Sequence, residues 1–198
     1  PWRPPSYDEA DVSDKPAYMR SQLLDAGRRA EIDAFRRRQY GSLLAVDRAV
    51  GEIVQALDES GRLANTMIVF TSDNGMVWGE HRWGTKLVPY EESIHVPFVV
   101  RYDSAIRSAR TDERLVVNID LAPTFAELAN VPAPSAEGAS FAPLLGEEDG
   151  PWREDFLLEH MQKGAGGVPT YCGVHAERYM YVRYRTGEEE LYDLRRDP

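Results

Sequence analysis

The sequence predicts an α/β fold, a part-sheet with flanking helices followed by a small antiparallel β subdomain. Three observations predict it. Apolar residues recur at helical spacing from about Ala30 to Ser60, and two short β-branched runs, Met67–Phe70 and Val96–Tyr102, follow. From Thr170 onward the chain is rich in strand-forming residues. Residues 1–20, rich in Pro, Asp and Ser, read as an extended surface lead-in. In the long helix, Leu43, Val46, Val50, Ile53, Val54 and Leu57 fall three or four apart and set an apolar stripe on one side. Arg36, Arg37 and Arg38 precede the stripe as a solvated face, and Gly61 is the expected C-cap. Both β-branched runs read as buried strands, with Pro97 at the entrance of the second because proline cannot serve a central ladder. Asp120 is the expected N-cap of a short helix running to about Ala129, ended by Asn130 and Pro132. Residues 132–155 read as a loop with a short apolar turn at Phe141–Leu145. Thr170–His175, Tyr179–Tyr184 and Glu190–Leu194 read as three strands, the last two joined by a hairpin at Arg185-Thr186-Gly187-Glu188. The division expected is 1–155 for the α/β core portion and 156–198 for the β subdomain.

With 198 residues, 42% of them hydrophobic, the chain is long enough for a real core. A net charge of −10 argues against a nucleic-acid footprint and against docking on anionic membranes. No apolar stretch approaches the length of a membrane span. The single cysteine, Cys172, rules out an internal disulfide and reads as a small buried hydrophobe in a strand.

The run Thr71-Ser72-Asp73-Asn74-Gly75 carries the chemistry. It follows a strand, and in open α/β sheets ligands bind in crevices at the carboxyl ends of strands. Asp73 and Asn74 there offer hard oxygen ligands of the kind calcium and magnesium take. Lys86, further along the loop, brings an ammonium within reach of the same crevice. Asp-Asn-Gly is also an ordinary turn signal, because Asn and Gly tolerate positive φ. His81 reads as a loop-packing residue and His95 as structural. His160 and His175 lack partners at metal-ligand spacing. Trp78 and Trp83 fit either packing or the wall of a sugar or aryl pocket.

The longer string narrows the choice. Phe70-Thr71-Ser72-Asp73-Asn74-Gly75, Gly79-Glu80-His81, Gly84-Thr85-Lys86, Pro89-Tyr90-Glu91-Glu92 and Val96-Pro97 together resemble the metal-and-lysine segment of the sulfatase family, in the alkaline-phosphatase-like superfamily. Pro4-Pro5-Ser6-Tyr7-Asp8, Asn118-Ile119-Asp120-Leu121-Ala122-Pro123-Thr124 and Glu190-Leu191-Tyr192-Asp193-Leu194, ending at Asp197-Pro198, resemble further stretches of its arylsulfatase and N-acetylglucosamine-6-sulfatase-like branch. His175-Ala176 departs from that branch, which often has Arg-Thr there.

The resemblance implies an alkaline-phosphatase-like sheet, a divalent cation (calcium most commonly, magnesium or manganese otherwise) held by Asp73 and Asn74, and a catalytic Lys86 that binds the sulfate group. The implied substrate is a small-molecule or carbohydrate sulfate ester. The family's nucleophile, a formylglycine made from Cys/Ser-x-Pro-x-Arg, has no match in this sequence and is expected upstream of it. The chain is therefore expected to be a carboxy-terminal portion, inactive alone, with a sheet edge open to self-association. Two alternatives stand beside this reading. One is the same portion of a phosphodiesterase or phosphonate monoester hydrolase, and the other is a non-catalytic binding fragment.

Overall fold

A computed structural model of the chain describes residues 3–146, 150–164 and 166–196. Asp197-Pro198, at the end of the carboxy-terminal resemblance, lies outside the described residues. The first long element, α1 (Ala26–Glu59), begins a turn earlier than the apolar pattern, because Asp25 caps it by accepting the Arg28 N–H at 2.7 Å. It ends as the sequence predicts. Gly61 adopts φ 67°, its N–H meets the Asp58 carbonyl at 2.9 Å, and the Arg62 N–H meets that of Leu57 at 2.8 Å.

The apolar stripe of α1 is only partly covered by the described residues. Leu43, Val46 and Ile53 are exposed, Val50, Val54 and Leu57 are half-buried, and Ile32 is the one buried residue of the helix.

β1 (Ile68–Thr71) follows, then a long loop, the one-turn helix α2 (Glu91–Ile94) and β2 (Phe98–Arg101). Pro97 immediately precedes β2 as expected. The two strands pair antiparallel, Ile68 opposite Arg101 and Thr71 opposite Phe98. The expectation of two fully buried strands is corrected, since Phe70 and Val99 are exposed. One face of the pair is covered. Met67, Phe98 and Val100 pack against Phe141, Leu144 and Leu145, and the Phe98 and Phe141 rings meet edge-on at 5.4 Å.

Phe141 leads into α4 (Ala142–Leu145), the apolar turn read from the sequence. Before it comes α3 (Leu121–Leu128), stopped by Asn130 in the left-handed region at φ 54°. Asp120 precedes α3, but its carboxylate does not cap that helix. It accepts the N–H groups of Val117 at 2.9 Å and Ala139 at 2.8 Å, and it receives both terminal nitrogens of the Arg153 guanidinium. A fully buried carboxylate needs such partners, and three stretches of chain supply them.

The carboxy-terminal sheet has four antiparallel strands rather than three, in the order β3 (Asp155–His160), β4 (Tyr171–Ala176), β5 (Tyr179–Tyr184) and β6 (Glu189–Asp193). β3 is the strand the pattern missed. The predicted hairpin joins β5 to β6 with Gly187 at φ 92°. Cys172 lies on β4 but on its exposed side, which corrects the expectation of a buried thiol. Strand parity puts Tyr171 and Gly173 inward and Cys172 outward.

The inner face of this sheet closes on the amino-terminal stretch. Met180, Val182, Tyr184 and Tyr171 form one core with Met19, Val77, Val88 and Tyr90. The supposed surface lead-in therefore buries Val12, Lys15 and Met19, another correction. At the centre of this core sits Glu190, which accepts the hydroxyls of Tyr90 at 2.7 Å, Tyr184 at 2.5 Å and Tyr192 at 2.6 Å.

Replacing Asp120 with Asn keeps the volume but leaves Arg153 without its counter-charge. Urea unfolding should show a loss of about 3 kcal/mol. A loss under about 0.5 kcal/mol, the size expected of an ordinary surface change, would contradict the role given to this carboxylate.

Candidate active site

β1 delivers Ser72, Asp73 and Asn74 at its carboxyl end, as the sequence predicts. The loop that follows then doubles back. The Val77 N–H donates to the Thr85 carbonyl at 3.0 Å and the Gly79 N–H to that of Trp83 at 2.8 Å, while fully buried Val77 and Val88 anchor its two arms. This returns Lys86 to Asn74. Lys86 Nζ donates to Asn74 Oδ1 at 2.8 Å, and Asn74 Nδ2 donates to the Gly75 carbonyl at 2.8 Å. Ser72 Oγ donates to the Asn74 carbonyl at 2.8 Å, fixing the turn, and lies 3.5 Å from Asp73 Oδ1. Asp73 is exposed beside this pair.

The position of Asn74 depends on α2. The Gly75 N–H donates to the Ser93 carbonyl at 2.9 Å, and a Cβ on Gly75 would stand 2.1 Å from the Glu92 carbonyl oxygen. Only glycine allows the turn to lie this close to the helix backbone.

Asp73 and Asn74 fit a hard divalent cation in kind but not in number. Such ions take six or more oxygen ligands. Among the described residues no group of three or more His, Cys, Asp or Glu side chains is placed to hold a metal ion. The oxygen Asn74 would offer is here engaged by Lys86.

The other singled-out residues have structural partners. Buried His81 lies between Glu9 and Glu92, with Nδ1 3.2 Å from Glu9 Oε1 and Nε2 3.6 Å from Glu92 Oε2. His175 is buried against Glu91, with Nε2 2.6 Å from Glu91 Oε1, and stacks on Phe156 at 4.8 Å. His95 is exposed, 3.3 Å from Glu91 Oε2, and His160 meets the Val168 carbonyl at 3.2 Å. Trp78 donates to Gln39 on α1 at 2.6 Å, and Trp83 packs edge-on against Tyr18. Both indoles pack. Sequence reasoning missed α2 as a support, and it missed Arg82, whose guanidinium donates to the carbonyls of Glu9, Ala10 and Ser21. The Gly-Glu-His motif was the available signal for that anchor.

These contacts shift the titrating groups. The His175 hydrogen bond outweighs burial and holds the Glu91 carboxyl below its ordinary value. At Glu92, burial opposes ionisation but the contacts with His81 and Ser6 prevail, so its pKa is also lowered.

The sulfatase family model matches residues 1–131, and the model described as N-sulphoglucosamine sulphohydrolase, C-terminal, matches residues 79–198. An N-acetylglucosamine-6-O-sulfatase of Bacteroides thetaiotaomicron is 34% identical over 171 residues, which cover 83% of this chain and 31% of that protein. The chain thus spans about a third of the length of the curated relatives it matches. A solved structure in complex with its substrate D-glucosamine-2-N,6-O-disulfate superposes with a TM-score of 0.74 and 35% identity, over 79% of this chain and 33% of that one. The phosphonate monoester hydrolase of Agrobacterium radiobacter superposes with a TM-score of 0.74 and 30% identity, over 84% and 36% of the two chains. The fold is alkaline-phosphatase-like, as the sequence predicted.

Two outcomes follow. Gly75→Ala should cost about 2 kcal/mol or more and displace the Asn74 side-chain amide in an NMR spectrum. Gly41→Ala, in open space on α1, should instead stabilise by about 0.5–1 kcal/mol. Equal effects at the two sites would contradict the seating of Gly75. For Glu91, a pKa lowered on folding contributes stability above its unfolded value of about 4.5, lost as pH falls through the folded value. Glu91→Gln should therefore flatten the acid limb of a stability–pH curve below about pH 4.5.

Proposed function

Since the chain belongs to the sulfatase family, we propose that it is the carboxy-terminal portion of a sulfuric ester hydrolase, contributing part of a metal and sulfate site whose nucleophile lies elsewhere in a longer protein. The observation that carries this reading is Lys86 held on Asn74 at the end of β1. An ammonium fixed in a preorganised loop suits a sulfate oxygen whose negative charge grows as the ester bond breaks. Asp73 and Asn74 are the residues that would hold a divalent cation, with calcium first because the family resemblance implies it and magnesium or manganese as alternatives. Such an ion would neutralise charge and orient the sulfate. The exposed part of the α1 stripe and the unshared edges of the β1–β2 pair support a larger domain around this portion. They also make self-association of the purified chain a reasonable expectation. The relative that binds a disulfated glucosamine supports a small-molecule or carbohydrate sulfate ester as substrate.

A phosphonate monoester hydrolase is the second reading, favoured by the 30% identical structural neighbour of that activity. The coding sequence upstream separates the two, because a Cys/Ser-x-Pro-x-Arg motif in frame would support the sulfatase.

The 198-residue chain alone should hydrolyse no 4-nitrophenyl sulfate above the buffer rate and should bind calcium with a Kd of about 1 mM or weaker, lost in Asp73→Ala. Turnover by the wild-type chain that disappears in Lys86→Ala would overturn the expectation of inactivity. In the longer protein, Lys86→Ala should lower kcat/KM for a sulfate ester by about 100-fold or more.

A further inference from the structure

His81 joins three separate stretches of chain through one ring. It belongs to the loop that ends at Lys86, Glu9 lies in the amino-terminal stretch, and Glu92 is on α2, whose backbone seats Gly75. A neutral imidazole carries one N–H and one lone pair, so between two carboxylates it can serve only one and turns a lone pair to the other. The imidazolium serves both. The two carboxylates favour that charge against the burial of the ring. Lys15, Glu91 and Tyr192 line the same small cavity as His81, the Lys15 ammonium is held by Asp14 at 2.8 Å, and the Tyr90 ring lies tilted beside the imidazole with centroids 4.5 Å apart. The neighbouring Arg82 guanidinium is occupied by backbone carbonyls. Ser6 Oγ adds a donor to Glu92 at 3.1 Å.

We propose that His81 is a positioning residue whose imidazolium ties the Lys86 loop to α2 and to the amino-terminal stretch, and that losing its proton loosens the Asn74–Lys86 pair. Burial alone would lower the pKa of His81, but the contacts and charges of Glu92 and then Glu9 prevail and raise it. A pKa raised on folding gives stability that is complete below the unfolded value of about 6.5 and is lost as pH rises through the folded value. The tie is therefore closed in mildly acidic solution and opens on the alkaline side. Its bearing on catalysis rests on the sulfate-site reading, but the tie itself does not.

The test is an NMR titration of the full chain with EDTA present, following the His81 ring protons and the Asn74 side-chain amide from about pH 5 to 9. The Asn74 resonances should move with the His81 midpoint, which should lie above about 6.5. Glu9→Gln should raise the His81 acid dissociation constant about tenfold, and the Asn74 response should follow it. His81→Gln should abolish the step in the Asn74 resonances at the His81 midpoint. An Asn74 amide indifferent to the His81 titration, or one that keeps that step in His81→Gln, overturns the proposal. Should His81→Gln fail to fold, the Glu9→Gln shift decides alone. Adding inorganic sulfate at low pH separates the two readings. Coupling that persists while sulfate leaves the Lys86 resonances unmoved counts against the sulfate site and not against the tie.

Discussion

One backbone hydrogen bond, from the Gly75 N–H to the Ser93 carbonyl, fixes where the Asn74–Lys86 pair is placed. It seats the turn after β1 on a helix only four residues long. A helix so short has almost no stability of its own, because nucleation costs more than its few bonds return. α2 is instead held from outside. His175 on the carboxy-terminal sheet grips Glu91, His81 lies beside Glu92, and Tyr90, the residue before α2, is buried in the core that joins that sheet to the amino-terminal stretch. The position of Asn74 is thus a property of the whole molecule.

Much of the fold was legible in the sequence where periodicity is strong and contacts are local. The stripe of α1, its Gly61 stop, the Pro97 boundary and the Arg185–Glu188 hairpin each depend on a few neighbouring residues. β3 was not legible because Asp155-Phe156-Leu157-Leu158-Glu159-His160 contains no β-branched residue. Its strand character comes from pairing with β4. The work of Asp120 was hidden for another reason. Two of its three partners lie 19 and 33 residues away, and a capping signal cannot reveal them. Cys172 was placed on the right strand but on the wrong side, since parity is set by register with the neighbours. At the site, the resemblance pointed to Asn74 and Lys86 and the geometry brings them together. The supports around them come from residues distant in sequence, which no local pattern displays.

The same contrast appears in what the chain leaves uncovered. Leu43, Val46 and Ile53 on α1, and Phe70 and Val99 on the two-stranded sheet, are apolar and exposed, whereas the core beneath the four-stranded sheet is fully closed. Hydrophobic periodicity reports which face an element is built to bury, not whether the burying partner is at hand. The chain spans about a third of the length of the relatives it matches.

The buried Glu190 has an optical consequence. Removal from water, followed by the nearby Glu190 charge, pushes the phenols of Tyr90, Tyr184 and Tyr192 far above the ordinary tyrosine range. Each is therefore much harder to ionise than an exposed tyrosine while the core is closed. In an alkaline spectrophotometric titration their phenolate absorbance would stay dark and then emerge together when the core opens. The chain thereby carries a built-in ultraviolet gauge of its own closure, needing no label and no tryptophan substitution.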